Sequence, residues 1–166
     1  MQVSIEEWDE SSPGWSKLAG MFEALGQTRW VFNSRFDWHL SRHIYVAIHD
    51  GEPVGFILVI IQYIGDDEEH DRFELDGEAL TEGKVLAFGV PPELRGKGIG
   101  RQLQIYGMER ALKKGCYQFR SRSDGEAVEN HVLKTKMGFA IHPANRGDDT
   151  KSAFFVMPLA IWRDGR

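Results

Sequence analysis

The apolar residues near the N-terminus recur at helical spacing. They are Trp15, Leu18, Ala19, Phe22 and Leu25. This spacing predicts an amphipathic helix with Ser11 or Ser12 as its N-cap and Gly26 at its end. The segment 30–42 that follows is rich in aromatic residues and predicts at most a second short helix with irregular flanks.

The apolar pattern then changes to that of β-strands. Two β-branched runs, His43–His49 and 53–64, flank the sequence Asp-Gly-Glu. An Asp-Gly pair suits the positive φ angles of a tight hairpin turn, so the two runs predict a β-hairpin. The acidic stretch 65–83 predicts a solvated loop or hairpin tip. Its four adjacent acids, 66–69, lack the glycine-punctuated ligand spacing of a calcium loop.

The second half of the chain alternates between strand and helix patterns. They predict a strand at 84–90, a helix at 99–114, a strand at 116–122, a helix from a cap at Ser123 or Asp124 to Met137, and two final strands. A strand–helix–strand unit implies a parallel pair with a right-handed crossover, and hairpins imply antiparallel pairs. The prediction is one α/β domain, 1–166, with a mixed, mostly antiparallel sheet flanked by helices.

Composition narrows the class of protein. The 166 residues suit one domain, and 42% hydrophobic with 27% charged residues allows a core and solubility. No apolar run is long enough to span a bilayer, and the acidic N-terminus has no apolar signal core, so we expect a cytoplasmic protein and no membrane partner. The single cysteine, Cys116, excludes an internal disulfide framework and a multi-cysteine metal site; no metal is expected. A net charge of −5 argues against nucleic acid as the main partner.

Three glycines alternate with basic residues after the third predicted strand, in the stretch RGKGIGR at 95–101. A glycine-rich turn that opens a helix presents unpaired N–H groups and the positive end of the helix dipole, which together bind phosphate. The stretch lacks the Ser or Thr of a nucleotide P-loop. It also has Arg101 where the dinucleotide fingerprint needs its third glycine.

The stretch V-x-P-x-x-R-G-K-G-I-G, ending at Gly100, resembles the phosphate-binding motif of the GNAT superfamily of N-acetyltransferases. The sequence KMGF at 136–139 resembles the helix-to-strand junction that accompanies this motif. The resemblance implies a GNAT-like domain whose central parallel strands splay apart. It also implies acetyl-CoA as co-substrate, lying in that opening.

The resemblance implies that several residues bind the coenzyme. They are Phe88, Val90, Arg95, Gly96, Lys97, Gly98, Ile99, Gly100, Arg101 and Asn130. The backbone N–H groups of 95–100 would hold the diphosphate, and the backbone of Phe88 and Val90 would pair with the pantetheine arm. The N–H of Val90 would polarise the thioester carbonyl.

The resemblance also implies candidates for two catalytic roles. Glu82 is the candidate general base, with Glu78 as a fallback, although both acids equally suit an exposed loop. Lys134 stands where many members of the family have a Tyr that protonates the leaving thiolate. A lysine kept neutral by desolvation could serve there, but an exposed helical lysine is the expectation.

The segment rich in aromatic residues would line the acceptor pocket, as the first helices do in this superfamily. The candidate substrate-binding residues are Trp30, Phe32, Arg35 and Asp37. Aromatic rings and an acid suit an amine with apolar parts. The alternative is that the rings pack the helix against the sheet.

The predicted activity is transfer of an acetyl group from acetyl-CoA to a primary amine of a small molecule, peptide or protein by direct attack. The missing Tyr favours an alternative, a noncatalytic acyl-CoA-binding sensor or regulatory module. A third interpretation, a toxin that acetylates aminoacyl-tRNA, is disfavoured by the net negative charge. Family members often pair through their late strands, so a homodimer is a further expectation.

Overall fold

A seven-stranded mixed sheet forms the centre of the computed structural model, which describes residues 1–145 and 147–165. Along the chain the elements are β1 (Ser4–Trp8), α1 (Trp15–Ala24), α2 (Thr28–Phe32), β2 (Ser41–His49), β3 (Glu52–Tyr63), β4 (Glu74–Leu75), β5 (Glu78–Ala79), β6 (Thr81–Gly89), α3 (Ile99–Lys113), β7 (Gln118–Ser123), α4 (Val128–Lys136), β8 (Ala140–Pro143), β9 (Ala153–Pro158) and α5 (Leu159–Asp164). Single 3₁₀ turns lie at Asp66–Glu68 and Pro92–Leu94.

The strand order is β1-β2-β3-β6-β7-β9-β8, with β4 and β5 forming a separate small hairpin. Strands β6 and β7 pair in parallel, and the other neighbours in the large sheet pair antiparallel. The helix α3 connects the parallel pair, as the strand–helix–strand pattern predicted. The predicted α/β class with a mixed, mostly antiparallel sheet is confirmed.

Helices cover both faces of the sheet. On one face α1 and α2 pack over a core that contains Phe22, Phe56 and Leu58. On the other face α3 and α5 pack over a larger core that contains Leu103, Phe119 and Leu159. The apolar run of β3 is buried almost throughout because this strand is covered on both faces.

The parallel pair separates near its middle. Pairing between β6 and β7 begins at Glu82 with Gln118 and ends at Val85 with Ser121. Beyond that point, 87–89 of β6 still pair with β3 but no longer with β7. The register between β3 and β6 shifts at the same place, so that Leu86 is an extra residue. A bulge of this kind bends its strand.

Several details differ from the sequence predictions. The edge strand β1 and the helix α5 were not predicted, because β1 is mostly exposed and α5 directly continues an apolar strand. Helix α4 begins four or five residues after the predicted cap. Neither Ser11 nor Ser12 caps α1, whose N-cap is Gly14. No helix in the described ranges is long and apolar enough to cross a membrane.

Candidate functional site

The glycine-rich stretch forms the turn between β6 and α3. Gly96 and Gly98 have φ angles of 73° and 82°, in the left-handed region that favours glycine. Gly98 is the N-cap of α3, and the first helical side chain, Ile99, is 1% exposed in the core. The buried Ile99 fixes the start of the helix, so the N–H groups of the first turn lie at the end of β6.

The space above this turn is open at two of the three glycines. A Cβ added to Gly96 would meet no atom within 4 Å, and one added to Gly98 would only reach Gln102 Nε2 at 4.0 Å. Gly100 differs, because its added Cβ would lie 3.0 Å from the ring of Phe88. Gly96 and Gly98 therefore leave backbone accessible to a ligand, whereas Gly100 lets α3 pack closely on β6.

Basic side chains surround the same turn. Lys97 and Arg101 are exposed, and within the described part of the chain neither forms an ion pair. Arg95 Nε donates to the carbonyl of Val90 at 3.1 Å, and its Nη1 lies 3.7 Å from Glu129 on α4. The turn thus combines backbone donors with two unpaired cations, an arrangement suited to a diphosphate.

Helix α4 places Lys134 beside Ser121, the point at which the pairing of β6 with β7 ends. The lysine side chain is buried, at 1% exposure, so the expectation of an exposed helical lysine is wrong. Its Nζ hydrogen-bonds the hydroxyl of Ser121, the last residue of β7 that pairs with β6. The rings of Phe139 and Phe155 lie 6.0 and 5.6 Å from Nζ.

The surroundings of Lys134 change its protonation. Burial in this mostly apolar site lowers the pKa of the amine from 10.5 to about 7. A cation desolvated without a carboxylate partner loses stability relative to the neutral amine, which is the cause of the shift. Lys134 is therefore an amine that can give up or take a proton near neutral pH.

Asn130, one turn before Lys134, contacts the same strand. Its Nδ2 donates to Ser123 Oγ at 2.9 Å, and its Oδ1 is a buried acceptor without a hydrogen-bond partner within the described chain. A buried acceptor without a donor is costly. This oxygen fits a ligand that brings an N–H group along β7, as the amide groups of a pantetheine arm would.

Glu82 lies on the other face of the same strand pair and is fully buried, so it is not an exposed loop acid. Its carboxylate accepts from Gln62 Nε2 at 2.9 Å, from Gln118 Nε2 at 2.7 Å and from Arg120 Nη2 at 2.6 Å. Arg120 Nε adds two contacts of 3.0 and 3.1 Å. Glu78, the fallback base, is an exposed residue of β5.

The ion pairs of Glu82 extend into the acidic stretch that was predicted to be solvated. The side chain of Asp67 is only 7% exposed there and pairs with both Lys84 and Arg120. Burial opposes the charge of Arg120, but hydrogen bonds and charges from Glu82 and Asp67 raise its pKa overall. Likewise Lys84 and Arg120 outweigh burial and lower the pKa of Asp67. We call Glu82, Arg120, Asp67 and Lys84 the ionic network.

The predicted acceptor segment exposes its aromatic rings. Trp30, Phe32, Phe36 and Trp38 are all more than a third exposed. Phe36 and Trp38 stack at 4.5 Å, and a cavity of about 400 Å³ is lined by Arg29, Trp30, Asn33, Ser34 and Phe36. Helix α2, which carries Trp30, packs against β6.

The other predicted acceptor residues do not line this cavity. Phe32 packs edge-on against Trp15 and Phe22, Arg35 pairs with Glu10 at 3.3 Å, and Asp37 is exposed. Within the described residues, no group of three or more His, Cys, Asp or Glu side chains could hold a metal ion. Cys116 is buried, and burial raises the pKa of its thiol to about 11.

Sequence reasoning missed Ser121, Asp67 and Arg120. The pattern QFRSRS of β7 did carry a signal, since polar and apolar residues alternate where a fully buried strand would be continuously apolar. The partner of each polar residue could not be read from it, because Asp67 reaches Arg120 from a loop 53 residues earlier.

Comparison with known proteins gives a consistent result. The sequence model described as "Acetyltransferase (GNAT) family" matches residues 3–139. No curated protein matches the chain significantly in sequence.

Solved structures share the fold at low sequence identity. Arabidopsis thaliana NAA60 in complex with acetyl-CoA superposes with a TM-score of 0.72 at 15% identity, covering 96% of this chain and 99% of that one. An IAA acetyltransferase from Bacillus cereus gives 0.60 at 20% identity, covering 95% and 99%. The ribosomal-protein-S18-alanine N-acetyltransferase from Escherichia coli gives 0.61 at 13% identity, covering 95% and 94%.

Proposed function

Because the chain belongs to the acetyltransferase (GNAT) family, we propose that it transfers the acetyl group of acetyl-CoA to a primary amine of a small molecule, peptide or protein. The observation that carries the proposal is the opening between β6 and β7, with the glycine turn at one end and Lys134 at its vertex. The structural neighbours described above include an N-acetyltransferase that acts on an alanine of a ribosomal protein, which supports a peptide or protein amine among the acceptors.

The residues around the opening fit acetyl-CoA. The turn at 95–100 would hold the diphosphate through backbone N–H groups, with Lys97 and Arg101 adding charge. The edge of β6 at Phe88 and Val90, unpaired toward β7, would bind the pantetheine amides as an added strand does. Asn130 Oδ1 would accept one of their N–H groups.

Lys134 replaces the usual tyrosine as the proton donor. Direct attack of an amine on the thioester releases a thiolate, which needs a proton to leave efficiently. In its ammonium form Lys134 can give that proton, and its lowered pKa of about 7 makes the transfer easier than from an ordinary lysine. The absence of the tyrosine therefore no longer favours the noncatalytic sensor over the enzyme.

Glu82 remains a predicted base, and its contacts favour a structural role. Donors from three side chains, including the guanidinium of Arg120, surround its carboxylate. A buried carboxylate that already accepts from three side chains has little capacity left to bind the acceptor amine. We propose instead that the acceptor amine binds after losing its proton to solvent, so the apparent affinity for the amine rises with pH toward the pKa of the amine, about 10 for an alkyl amine.

The test is release of free thiol from acetyl-CoA when the protein is offered a panel of amines, together with CoA binding by calorimetry. An enzyme binds CoA and releases thiol with at least one amine; a sensor binds CoA and releases none. Gly98→Val should weaken CoA binding at least about 100-fold by filling the space above the turn. Unchanged affinity would contradict the site.

Gly77→Val is the matched control for that variant. Gly77 has the same φ angle of 82° and open space around it, but lies at the tip of the β4–β5 hairpin. It imposes the same backbone strain away from the turn. If Gly77→Val weakened CoA binding as much as Gly98→Val, strain rather than ligand contact would explain the loss.

We also propose a cytoplasmic location and a homodimer. A single buried cysteine suits a reducing compartment, and the second proposal rests on the pairing habit of the family. Cell fractionation and light scattering test these two proposals separately.

A further inference from the structure

The geometry points to a second reaction at the same vertex: Lys134 Nζ accepts the acetyl group itself when acetyl-CoA is bound and no acceptor amine is present. The product is an acetylated lysine inside the coenzyme opening, which switches off the proton donor. This inference rests on the proposed function, because acetyl-CoA must lie between β6 and β7.

The position of Lys134 carries the argument. A group placed to protonate the coenzyme sulfur is also close to the thioester carbonyl carbon, because the two atoms are bonded to each other. Within residues 1–145 and 147–165, Nζ hydrogen-bonds the Ser121 hydroxyl and faces the rings of Phe139 and Phe155. No carboxylate of these residues forms an ion pair with the amine, so its lone pair becomes available on deprotonation.

The neighbours of Lys134 support the neutral form. They are Ser121 on β7, Phe155 on β9 and Phe139 after α4, none of which carries a charge. The nearest titratable ring on α4, His131, lies against Phe155 at 5.2 Å. Burial alone accounts for the lowered pKa of the lysine. The exposed lysine on the same helix, Lys136, lacks this environment.

The reaction balances without a further reagent. The lone pair of neutral Nζ forms a bond to the thioester carbon, and the carbon–sulfur bond breaks with its electron pair on sulfur. The proton that nitrogen loses ends on that sulfur. The products are an amide at Lys134 and free CoA thiol. An amide nitrogen neither donates a proton as an ammonium does nor carries charge.

The experiment is incubation of the wild-type protein with acetyl-CoA in the absence of any amine, followed by intact mass measurement and peptide mapping. We expect up to one acetyl group per chain at Lys134, formed faster above pH 7 than below, and suppressed by excess CoA. Turnover with an amine should fall in proportion to the modified fraction. Lys134→Arg should lose the adduct, and Lys136→Arg should keep it.

Acetyl phosphate is the control donor, since it acetylates accessible lysines without a coenzyme site. It should modify Lys136 and leave Lys134 unmodified. The inference is overturned if acetyl-CoA leaves Lys134 unmodified, or if acetyl phosphate modifies it equally well. Calorimetry and thiol release run in parallel: loss of CoA binding would defeat the proposed function, whereas binding and turnover without the adduct would defeat this inference alone.

Discussion

The two faces of the β6–β7 junction both bury basic side chains, with opposite consequences. On one face Arg120 is 8% exposed and meets Glu82 and Asp67 at 2.6 to 2.8 Å. On the other face Lys134 meets a hydroxyl and two aromatic rings. The neighbouring residues Arg120 and Ser121 of β7 point to these two faces, so one strand serves both environments.

The difference shows that pairing with carboxylates, which we call compensation, decides whether a buried cation keeps its charge; burial alone does not. Desolvation acts on both groups and disfavours both charges. Paired carboxylates reverse its effect on Arg120, and nothing reverses it for Lys134. The compensated group holds the strands and the acidic loop together, whereas the uncompensated group has a proton available for chemistry.

Removing Arg120, the cation that pairs with the buried carboxylates, should have the largest effect on stability. Arg120→Met leaves Glu82 and Asp67 buried with fewer partners, so the free energy of unfolding should fall by about 3 to 5 kcal/mol. Urea unfolding followed by circular dichroism measures it. Arg122→Met is the control: it removes an ion pair with the exposed Asp124 and a hydrogen bond to Ser152 Oγ, and should cost about 1 kcal/mol. Equal losses would contradict the contrast between the two faces.

Lys134→Met should have the opposite sign and raise the free energy of unfolding by about 4 kcal/mol at pH 7. Between about pH 7 and pH 10.5 the unfolded wild type binds more protons than the folded form, so wild-type stability rises across this window. The advantage of the variant should therefore shrink as pH rises through the window and be constant below it. An advantage independent of pH would show that Lys134 titrates normally.

The same variant should lose catalysis. We expect kcat to fall about 100-fold, with CoA affinity unchanged, because the thiolate loses its proton donor. The kcat of the wild type, measured at saturating amine, should fall above about pH 7 as Lys134 deprotonates, and the pH profile of the variant should lack this descending limb. Lys136→Met, on the exposed side of α4, should match the wild type. Wild-type turnover in Lys134→Met would remove the lysine from the mechanism.

A smaller effect should follow from placing a carboxylate on the face that carries Lys134. Ser121→Asp would place a carboxylate beside Lys134 Nζ and raise the pKa of the lysine by about one unit or more. The descending limb of kcat should then move to higher pH, and self-acetylation at Lys134 should slow at neutral pH. The pH profile measures the first and intact mass the second. An unmoved limb would show that another group produces it.

The fold and the position of the glycine turn could be predicted from the sequence, whereas the surroundings of Glu82 and Lys134 could not. The glycines of 95–101 and the alternation of strands and helices are local patterns, and local patterns predict turns and elements. The burial of Lys134 depends instead on Phe139, Phe155 and Ser121, which come from three other segments. An isolated helical stretch such as NHVLKTK gives no sign of which lysine the tertiary packing encloses.

The acidic loop at 65–73 also shows that local sequence does not predict which side chains tertiary packing encloses. Four adjacent acids favour solvation when only their neighbours in sequence are considered, and Glu69 is indeed exposed. The side chain of Asp67 is buried because Lys84 and Arg120 meet it from two different strands. Pairing over such separations is set by strand register, which periodicity leaves undetermined.

The extra residue Leu86 has a consequence for the shape of the whole opening. Leu86 and Ala87 both pack on the α1 side, while Val85 before them and Phe88 after them pack on the α3 side. A chain without Leu86 would keep every other side chain of β6 on its present face and could run straight alongside β7. One inserted leucine thus lies at the point where the centre of this sheet stops being a continuous hydrogen-bonded surface.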